Sequence, residues 1–82
     1  MTKVTIYSLP TCPYCKMAKR FLDENKIEYQ DIDVLANPDE AEIMIKKSGQ
    51  MGTPVIIVEK DGQEEMIVGF DQQKLSQVLG IS

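Results

Sequence analysis

The only two cysteines of the chain, Cys12 and Cys15, lie three residues apart in the segment TCPYCK. Two thiols at this spacing can form a structural disulfide, contribute to a metal site, or act as a reactive dithiol. A disulfide between them would close a very short loop and so remove little entropy from the unfolded chain. Zinc needs four ligands, and the chain has no histidine and no second cysteine pair, so no metal site is expected. The pattern therefore favours a reactive dithiol.

The residues around the cysteines predict which sulfur reacts first. Cys12 follows a β-branched segment and precedes Pro13, which fits the first turn of a helix because its missing N–H would have no partner there. The Cys12 sulfur should then lie among unpaired N–H groups at the positive end of a helix dipole, an environment that lowers the pKa of a thiol. Cys15 should be shielded by the helix. We expect Cys12 to attack a disulfide and Cys15 to resolve the mixed disulfide that forms.

The elements that must position the dithiol follow from the hydrophobic periodicity. We predict first the strand KVTIYS, then a helix from Pro13 to Asn25 with Met17 and Phe21 in the core, and then the strand IEYQDIDV. A second helix should begin at Asn37, whose cap Glu40 completes, and end at Gly49. A hairpin of PVIIVEK and QEEMIV around Asp61-Gly62 and a last helix capped by Asp71 should follow. The order β-α-β-α-β-β-α predicts an α/β fold with a four-stranded mixed sheet between helices. The first two strands should be parallel because a helix joins them. The acidic second strand suits a sheet edge.

Composition limits the classes of function. Eighty-two residues allow one domain, predicted over residues 1–82, and the net charge of −4 offers no basic footprint for nucleic acid. No apolar run is long enough to cross a bilayer, and the N-terminal segment MTKVTIYSLP lacks a signal-peptide core. We therefore expect a cytoplasmic monomer, with no membrane partner, in a compartment where thiols stay reduced.

Three motifs together resemble the glutaredoxin family: CPYC after a short strand, Thr-Pro before an apolar strand in GTPVII, and Gly-x-Asp after the hairpin in VGFD. The resemblance covers essentially the whole chain. It implies a thioredoxin-like fold and a glutathione-disulfide oxidoreductase that reduces glutathione mixed disulfides and protein disulfides. Glutathione would be its co-substrate, with no tightly bound cofactor, and its partners would be glutathione and glutathionylated or disulfide-containing proteins.

The resemblance also implies roles for individual residues. Pro54 matches the cis-proline of the family, and Thr53 before it would present backbone groups to an extended substrate. The segment Gly69-Phe70-Asp71 leads into the last helix, where free N–H groups suit a carboxylate of glutathione. Tyr14 is expected to lie exposed beside the dithiol, since an amphipathic ring suits a binding surface. The implied sites are catalytic Cys12 and Cys15, and glutathione-binding Tyr14, Thr53, Pro54, Gly69, Phe70 and Asp71.

Two departures from the family pattern keep alternatives open. Leu9 stands where many glutaredoxins have a lysine that contacts glutathione, and Gly-Phe-Asp replaces the more frequent Gly-Gly-x-Asp. The second feature resembles glutaredoxin-like proteins that donate electrons to ribonucleotide reductase and are reduced by thioredoxin reductase. A carrier of an iron–sulfur cluster is a further alternative, which Pro13 disfavours by stiffening the loop. The cluster Lys16, Lys19 and Arg20 is expected to be a solvated helix face that helps to attract anionic glutathione.

Overall fold

The computed structural model describes residues 2–50 and 52–80. Residues 1, 51, 81 and 82, which include both ends of the predicted domain, lie outside the described residues. Within these described residues, seven elements follow one another in the predicted order. They are β1 (Thr2–Ser8), α1 (Pro13–Glu24), β2 (Gln30–Asp33), α2 (Pro38–Ser48), β3 (Val55–Lys60), β4 (Gln63–Val68) and α3 (Gln72–Leu79).

The four strands form one mixed sheet in the order β2-β1-β3-β4. β1 runs parallel to β2 and antiparallel to β3, and β4 runs antiparallel to β3. The acidic β2 lies at an edge, as predicted. The β3–β4 hairpin turns at Asp61 and Gly62, whose φ angles of 52° and 80° are both positive, as a type I′ turn requires. The four-stranded mixed sheet is confirmed.

Helices cover both faces of the sheet. On one face, α1 and α3 pack through Ala18, Leu22 and Leu75 against alternate residues of the central strands. On the other face, α2 packs through Met44 against the intervening residues. Val55–Val58 of β3 are buried on both faces, which explains their unbroken apolar run. The predicted α/β architecture is confirmed. Helix α1 begins shortly after the end of β1, one of the two central strands.

Three local predictions are wrong. The second strand spans only Gln30–Asp33, because Ile27 and Tyr29 leave the sheet and pack against the α1 side of the core. The Asn37 side chain does not cap α2: its Nδ2 donates to the carbonyl oxygen of Asp33 at 2.9 Å. Met17 is 49% exposed rather than buried, since α1 directs only Cys15, Ala18 and Leu22 fully into the core.

Candidate active site

Three loops meet at one end of the sheet and form the candidate site. The strand pairing places Tyr7 of β1 beside Val55 of β3, and Val55 beside Val68 of β4. The segment that follows β1, the segment that precedes β3 and the segment that follows β4 therefore lie side by side. These segments carry Cys12, the Thr53–Pro54 pair and the Gly69–Asp71 turn, which the sequence distributes over 60 residues.

Cys12 is the N-cap residue of α1. Its backbone is extended, with φ −89° and ψ 113°, and Pro13 takes the first helical position. The Cys12 Sγ accepts a hydrogen bond from the backbone N–H of Cys15 at 3.2 Å, as a serine or aspartate oxygen does at an ordinary N-cap. The sulfur also lies 3.8 Å from the carbonyl oxygen of Thr53, to which the thiol donates. The expected position at the positive end of the helix is confirmed.

The pKa of Cys12 is lowered from its ordinary value. Partial burial alone raises it, but hydrogen bonds to the thiolate outweigh that effect. They come from the side chains of Cys15 and Thr53 and from the backbone N–H groups of Cys15 and Tyr14. A larger fraction of Cys12 is therefore ionised near neutral pH than of a free cysteine, and the thiolate is the nucleophilic form.

Cys15 has the opposite character. Its side chain is 0% exposed, and burial raises the pKa of its thiol. Hydrogen bonding to Cys12 and the negative charge of the Cys12 thiolate raise it further, against the lowering effects of the Leu9 backbone and the Thr53 side chain. The two pKa values are thus pushed apart, so Cys12 is the thiol that ionises more readily and Cys15 the one that stays protonated.

The Thr53–Pro54 and Gly69–Asp71 segments form the wall beside the dithiol. The peptide bond between Thr53 and Pro54 is cis, as expected from the resemblance. The N–H of Gly69 donates to the carbonyl oxygen of Pro54 at 2.8 Å and so joins the two segments. Gly69 has φ +80°, a conformation that favours glycine. Asp71 caps α3, its Oδ1 accepting from the N–H of Lys74 at 3.1 Å. Within the described part of the chain, the N–H groups of Phe70 and Asp71 have no hydrogen-bond partner.

Aromatic side chains line the surface near the cysteines. Tyr14 is 60% exposed, as predicted. Phe21 and Phe70 are partly buried and meet edge to face, with ring centroids 6.1 Å apart. This contact joins α1 to the Gly69–Asp71 segment and helps to hold that segment next to the helix that carries both cysteines.

The predicted basic cluster on α1 is mostly engaged within the protein. Lys19 Nζ bonds Asp31 Oδ2 at 2.8 Å, and Arg20 Nε bonds Glu24 Oε1 at 3.1 Å. Among residues 2–50 and 52–80, Lys16 is the one member without a salt-bridge partner. The prediction of a simple solvated face is therefore wrong for Lys19. Leu9, at the position of the family's lysine, is half-buried against the α2 side of the core.

Sequence reasoning missed Asp31 and Ser8 at this site. Ser8 Oγ donates to Asp31 Oδ1 at 2.6 Å, and the same carboxylate binds Lys19. One signal was present: Val4, Ile6 and Ser8 alternate along β1, which places a hydroxyl on the face that α1 covers. No signal in the sequence fixed the register that brings Asp31 to it.

Two further properties bear on the class of protein. In the part of the chain that the structure describes, no group of three or more His, Cys, Asp and Glu side chains could hold a metal ion. None of its helices has the length and apolar character needed to cross a membrane.

The fold and the dithiol define a redox protein of the thioredoxin-like class, and comparison with known proteins gives the family. The family model described as Glutaredoxin matches residues 4–63. An uncharacterized glutaredoxin-like 8.6 kDa protein from the rubredoxin operon of Clostridium pasteurianum is 38% identical over 76 residues, which are 93% of this chain and 96% of that protein. The chain belongs to the glutaredoxin family.

Solved structures agree on the fold. A mutant of the thioredoxin-like protein BC3987 superimposes with a TM-score of 0.86 at 32% identity, covering 100% of both chains. The glutaredoxin-like protein NrdH-redoxin from Escherichia coli, described as having a thioredoxin-like activity profile, gives a TM-score of 0.78 at 25% identity, covering 93% of each chain. The thioredoxin-like fold is therefore confirmed.

Proposed function

We propose that this protein is a glutathione-dependent thiol–disulfide oxidoreductase of the cytoplasm that acts through both cysteines. The observation that carries the proposal is the asymmetry of the dithiol. Cys12 is a partly exposed N-cap whose thiolate accepts hydrogen bonds from backbone N–H groups, and Cys15 is fully buried one turn further on. Such an arrangement presents one nucleophile to a disulfide and keeps the second thiol within reach of the product.

The reaction follows from the geometry. The Cys12 thiolate attacks one sulfur of a glutathione mixed disulfide or a protein disulfide, and the other sulfur leaves as a thiolate that takes up a proton. The mixed disulfide on Cys12 is then opened by a glutathione thiolate, which regenerates Cys12, or by Cys15, which forms the Cys12–Cys15 disulfide. Two further glutathione molecules reduce that disulfide and leave as glutathione disulfide.

The wall beside the dithiol is the proposed glutathione site. The backbone of Thr53, before the cis Pro54, faces the Cys12 sulfur and suits the cysteinyl unit of glutathione. The free N–H groups of Phe70 and Asp71, close to the start of α3, suit a carboxylate. Tyr14 is exposed and can cover the bound tripeptide.

The decisive experiment measures turnover of a mixed disulfide between glutathione and a small thiol, with glutathione and its reductase as the electron source. Cys12→Ser should abolish turnover. Cys15→Ser should keep much of the deglutathionylation and lose reduction of protein disulfides. Loss of all activity in Cys15→Ser would contradict direct release by glutathione.

A second candidate has specific support. Leu9 replaces a cation, and Lys19 and Arg20 are paired with carboxylates, so few positive charges are free to bind the two carboxylates of glutathione. These features favour an electron donor to ribonucleotide reductase that is reduced by thioredoxin reductase. Faster turnover with thioredoxin reductase than with glutathione, together with support of ribonucleotide reductase turnover, would establish this candidate. A reduction potential roughly in the range −200 to −230 mV would instead support glutathione.

A further inference from the structure

A small polar network lies on the face of the sheet that α1 covers, and its lysine is one helical turn after the buried Cys15. Asp31 of β2 accepts hydrogen bonds at both carboxylate oxygens, from Lys19 Nζ at 2.8 Å and from Ser8 Oγ at 2.6 Å. Ser8 is the last residue of β1 and is only 2% exposed. The network therefore joins α1, β1 and β2 at the end of the sheet from which the dithiol loop departs.

Lys19 brings a positive charge to the same side of α1 as Cys15. The two residues are four positions apart, so their side chains are neighbours on one face of the helix. The Lys19 side chain is 25% exposed, whereas that of Arg20, the next residue, is 82% exposed. The hydrogen bond and charge of Asp31 raise the pKa of Lys19, and a charge on Cys15 raises it as well.

We propose that Lys19, held by Asp31, which Ser8 in turn hydrogen-bonds, is a positioning residue for the resolving step: its ammonium group stabilises the thiolate that Cys15 must form to attack the mixed disulfide on Cys12. The inference rests on the dithiol exchange proposed above and does not depend on which reductant the protein uses. Cys15 is buried, where an unpaired thiolate is costly, so a nearby fixed cation has its largest effect there.

The step balances as follows. Cys15 gives up its proton to solvent water and becomes a thiolate, which attacks the Cys12 Sγ. The bond between Cys12 and the substrate sulfur breaks, and the substrate leaves as a thiolate that takes up a proton. Cys15 is oxidised into the Cys12–Cys15 disulfide, and the substrate sulfur is reduced. Lys19 keeps its proton throughout, because Asp31 raises its pKa.

The charged and titratable groups around this thiol come from three places. Lys16 and Lys19 lie on its own helix, Cys12 is the N-cap of that helix, and Asp31 faces Lys19 from β2. Tyr29, just before β2, also acts on the pKa of Lys19. Lys16 is exposed, whereas Lys19 is the partly buried cation. Asp31 remains ionised at neutral pH because hydrogen bonds from Lys19 and Ser8, together with the charge of Lys19, outweigh the burial that raises its pKa.

The test uses Cys12→Ser, which leaves Cys15 as the only thiol. The ultraviolet absorbance of the thiolate is followed against pH, and the contribution of the three tyrosines is removed by subtracting the curve of the matching variant that also carries Cys15→Ser. In this background Lys19→Met should raise the pKa of Cys15, and Lys19→Arg should restore it. The matched control is Lys47→Met. It removes the same charge and a somewhat more exposed ion pair, Lys47 with Glu64 at 3.3 Å, and Lys47 lies on α2, which covers the opposite face of the sheet.

A kinetic measurement complements the titration. With both cysteines present, Lys19→Met should slow reduction of the insulin disulfides about three- to tenfold at neutral pH, while attack of Cys12 on a glutathione mixed disulfide changes less than about twofold. Circular dichroism verifies folding, and Lys19→Gln replaces Lys19→Met if the latter does not fold.

Equal pKa values of Cys15 in the Lys19→Met and Lys47→Met variants would overturn the inference. So would a Lys19→Arg variant that behaves like Lys19→Met, because packing rather than charge would then be responsible. A pKa shift in a protein that reduces no disulfide would uphold the action of Lys19 on Cys15 and refute the proposed function. Disulfide reduction by a protein in which Lys19→Met leaves the pKa of Cys15 unchanged would uphold the proposed function and refute the action of Lys19 on Cys15.

Discussion

Replacing Thr53 by valine should weaken the thiolate character of Cys12 without changing the shape of the wall beside it. The Cys12 thiol donates to the backbone carbonyl oxygen of Thr53 at 3.8 Å, and hydrogen bonding by the Thr53 side chain to the thiolate form is one cause of the lowered pKa of Cys12. Valine has the same branched shape and no hydroxyl. The change therefore removes one donor to the sulfur and leaves the backbone N–H groups of Tyr14 and Cys15 in place.

The magnitude follows from the strength of one such bond. A hydrogen bond to a charged group contributes about 1.5–3 kcal/mol. Cys12 is partly exposed, and water replaces some of the lost interaction, so we take about 1 kcal/mol. Below the pKa of Cys12 the thiolate fraction should then fall about fivefold. A thiolate of higher pKa is also about twofold more nucleophilic, which leaves a net loss in rate of about two- to threefold.

The assay is alkylation of Cys12 by iodoacetamide across a range of pH, in a Cys15→Ser background where Cys12 is the only thiol. The Thr53→Val profile should be slower than its parent at low pH and faster at high pH, so the two profiles should cross. Thr11→Val is the matched control, since Thr11 is exposed and adjacent to Cys12. A Thr53→Val profile that is lower by one constant factor at every pH would refute the reasoning, because it would indicate steric obstruction.

Three further outcomes are expected. Asp71→Ala should lower the free energy of unfolding in urea by about 1 kcal/mol, because the N–H of Lys74 at the start of α3 loses its hydrogen-bond acceptor. Asp71→Asn should lower it far less, and equal losses in the two variants would contradict the capping role. The pKa of Cys12 is lower in the folded state, so its thiolate stabilises the fold of Cys15→Ser relative to the variant that carries both Cys12→Ser and Cys15→Ser. This extra stability should be fully present above about pH 8.5 and be lost as pH falls through the folded pKa of Cys12. A difference in urea unfolding that does not change with pH would disprove the linkage. Leu9→Lys should raise glutathione-dependent turnover a few-fold and leave iodoacetamide alkylation of Cys12 nearly unchanged; unchanged turnover would show that a cation there is not limiting.

The parts of the site that were predictable depend on local patterns. A strand that ends four residues before Cys12, followed by Pro13 at a helix start, is enough to place one sulfur at a helix N-terminus. The Asp61-Gly62 turn fixed the hairpin, and the cap at Asp71 was readable because aspartate precedes an apolar helical period. Each of these features is decided by residues close together in the chain.

The parts that were missed depend on contacts between distant elements. The bond of Lys19 to Asp31 requires β2 to pair with β1 in one register, and a shift by one residue would turn Asp31 to the other face. Met17 has the helical spacing of a core residue, but whether it is buried depends on how α1 is rotated against the sheet. Periodicity gives the apolar side of a helix and not its exact rotation.

Each cysteine affects the pKa of the other in the reduced protein, and these effects determine which thiol ionises first. In the reduced protein, the hydrogen bond between the thiols lowers the pKa of Cys12 and raises that of Cys15, and the charge on Cys12 raises the latter further. Cys12 therefore ionises first and Cys15 stays protonated. Once Cys12 is held in a mixed disulfide, it carries no charge, so both of these effects on Cys15 end. The pKa of Cys15 should then fall at the step that needs its thiolate, with the charge of Lys19 one helical turn away.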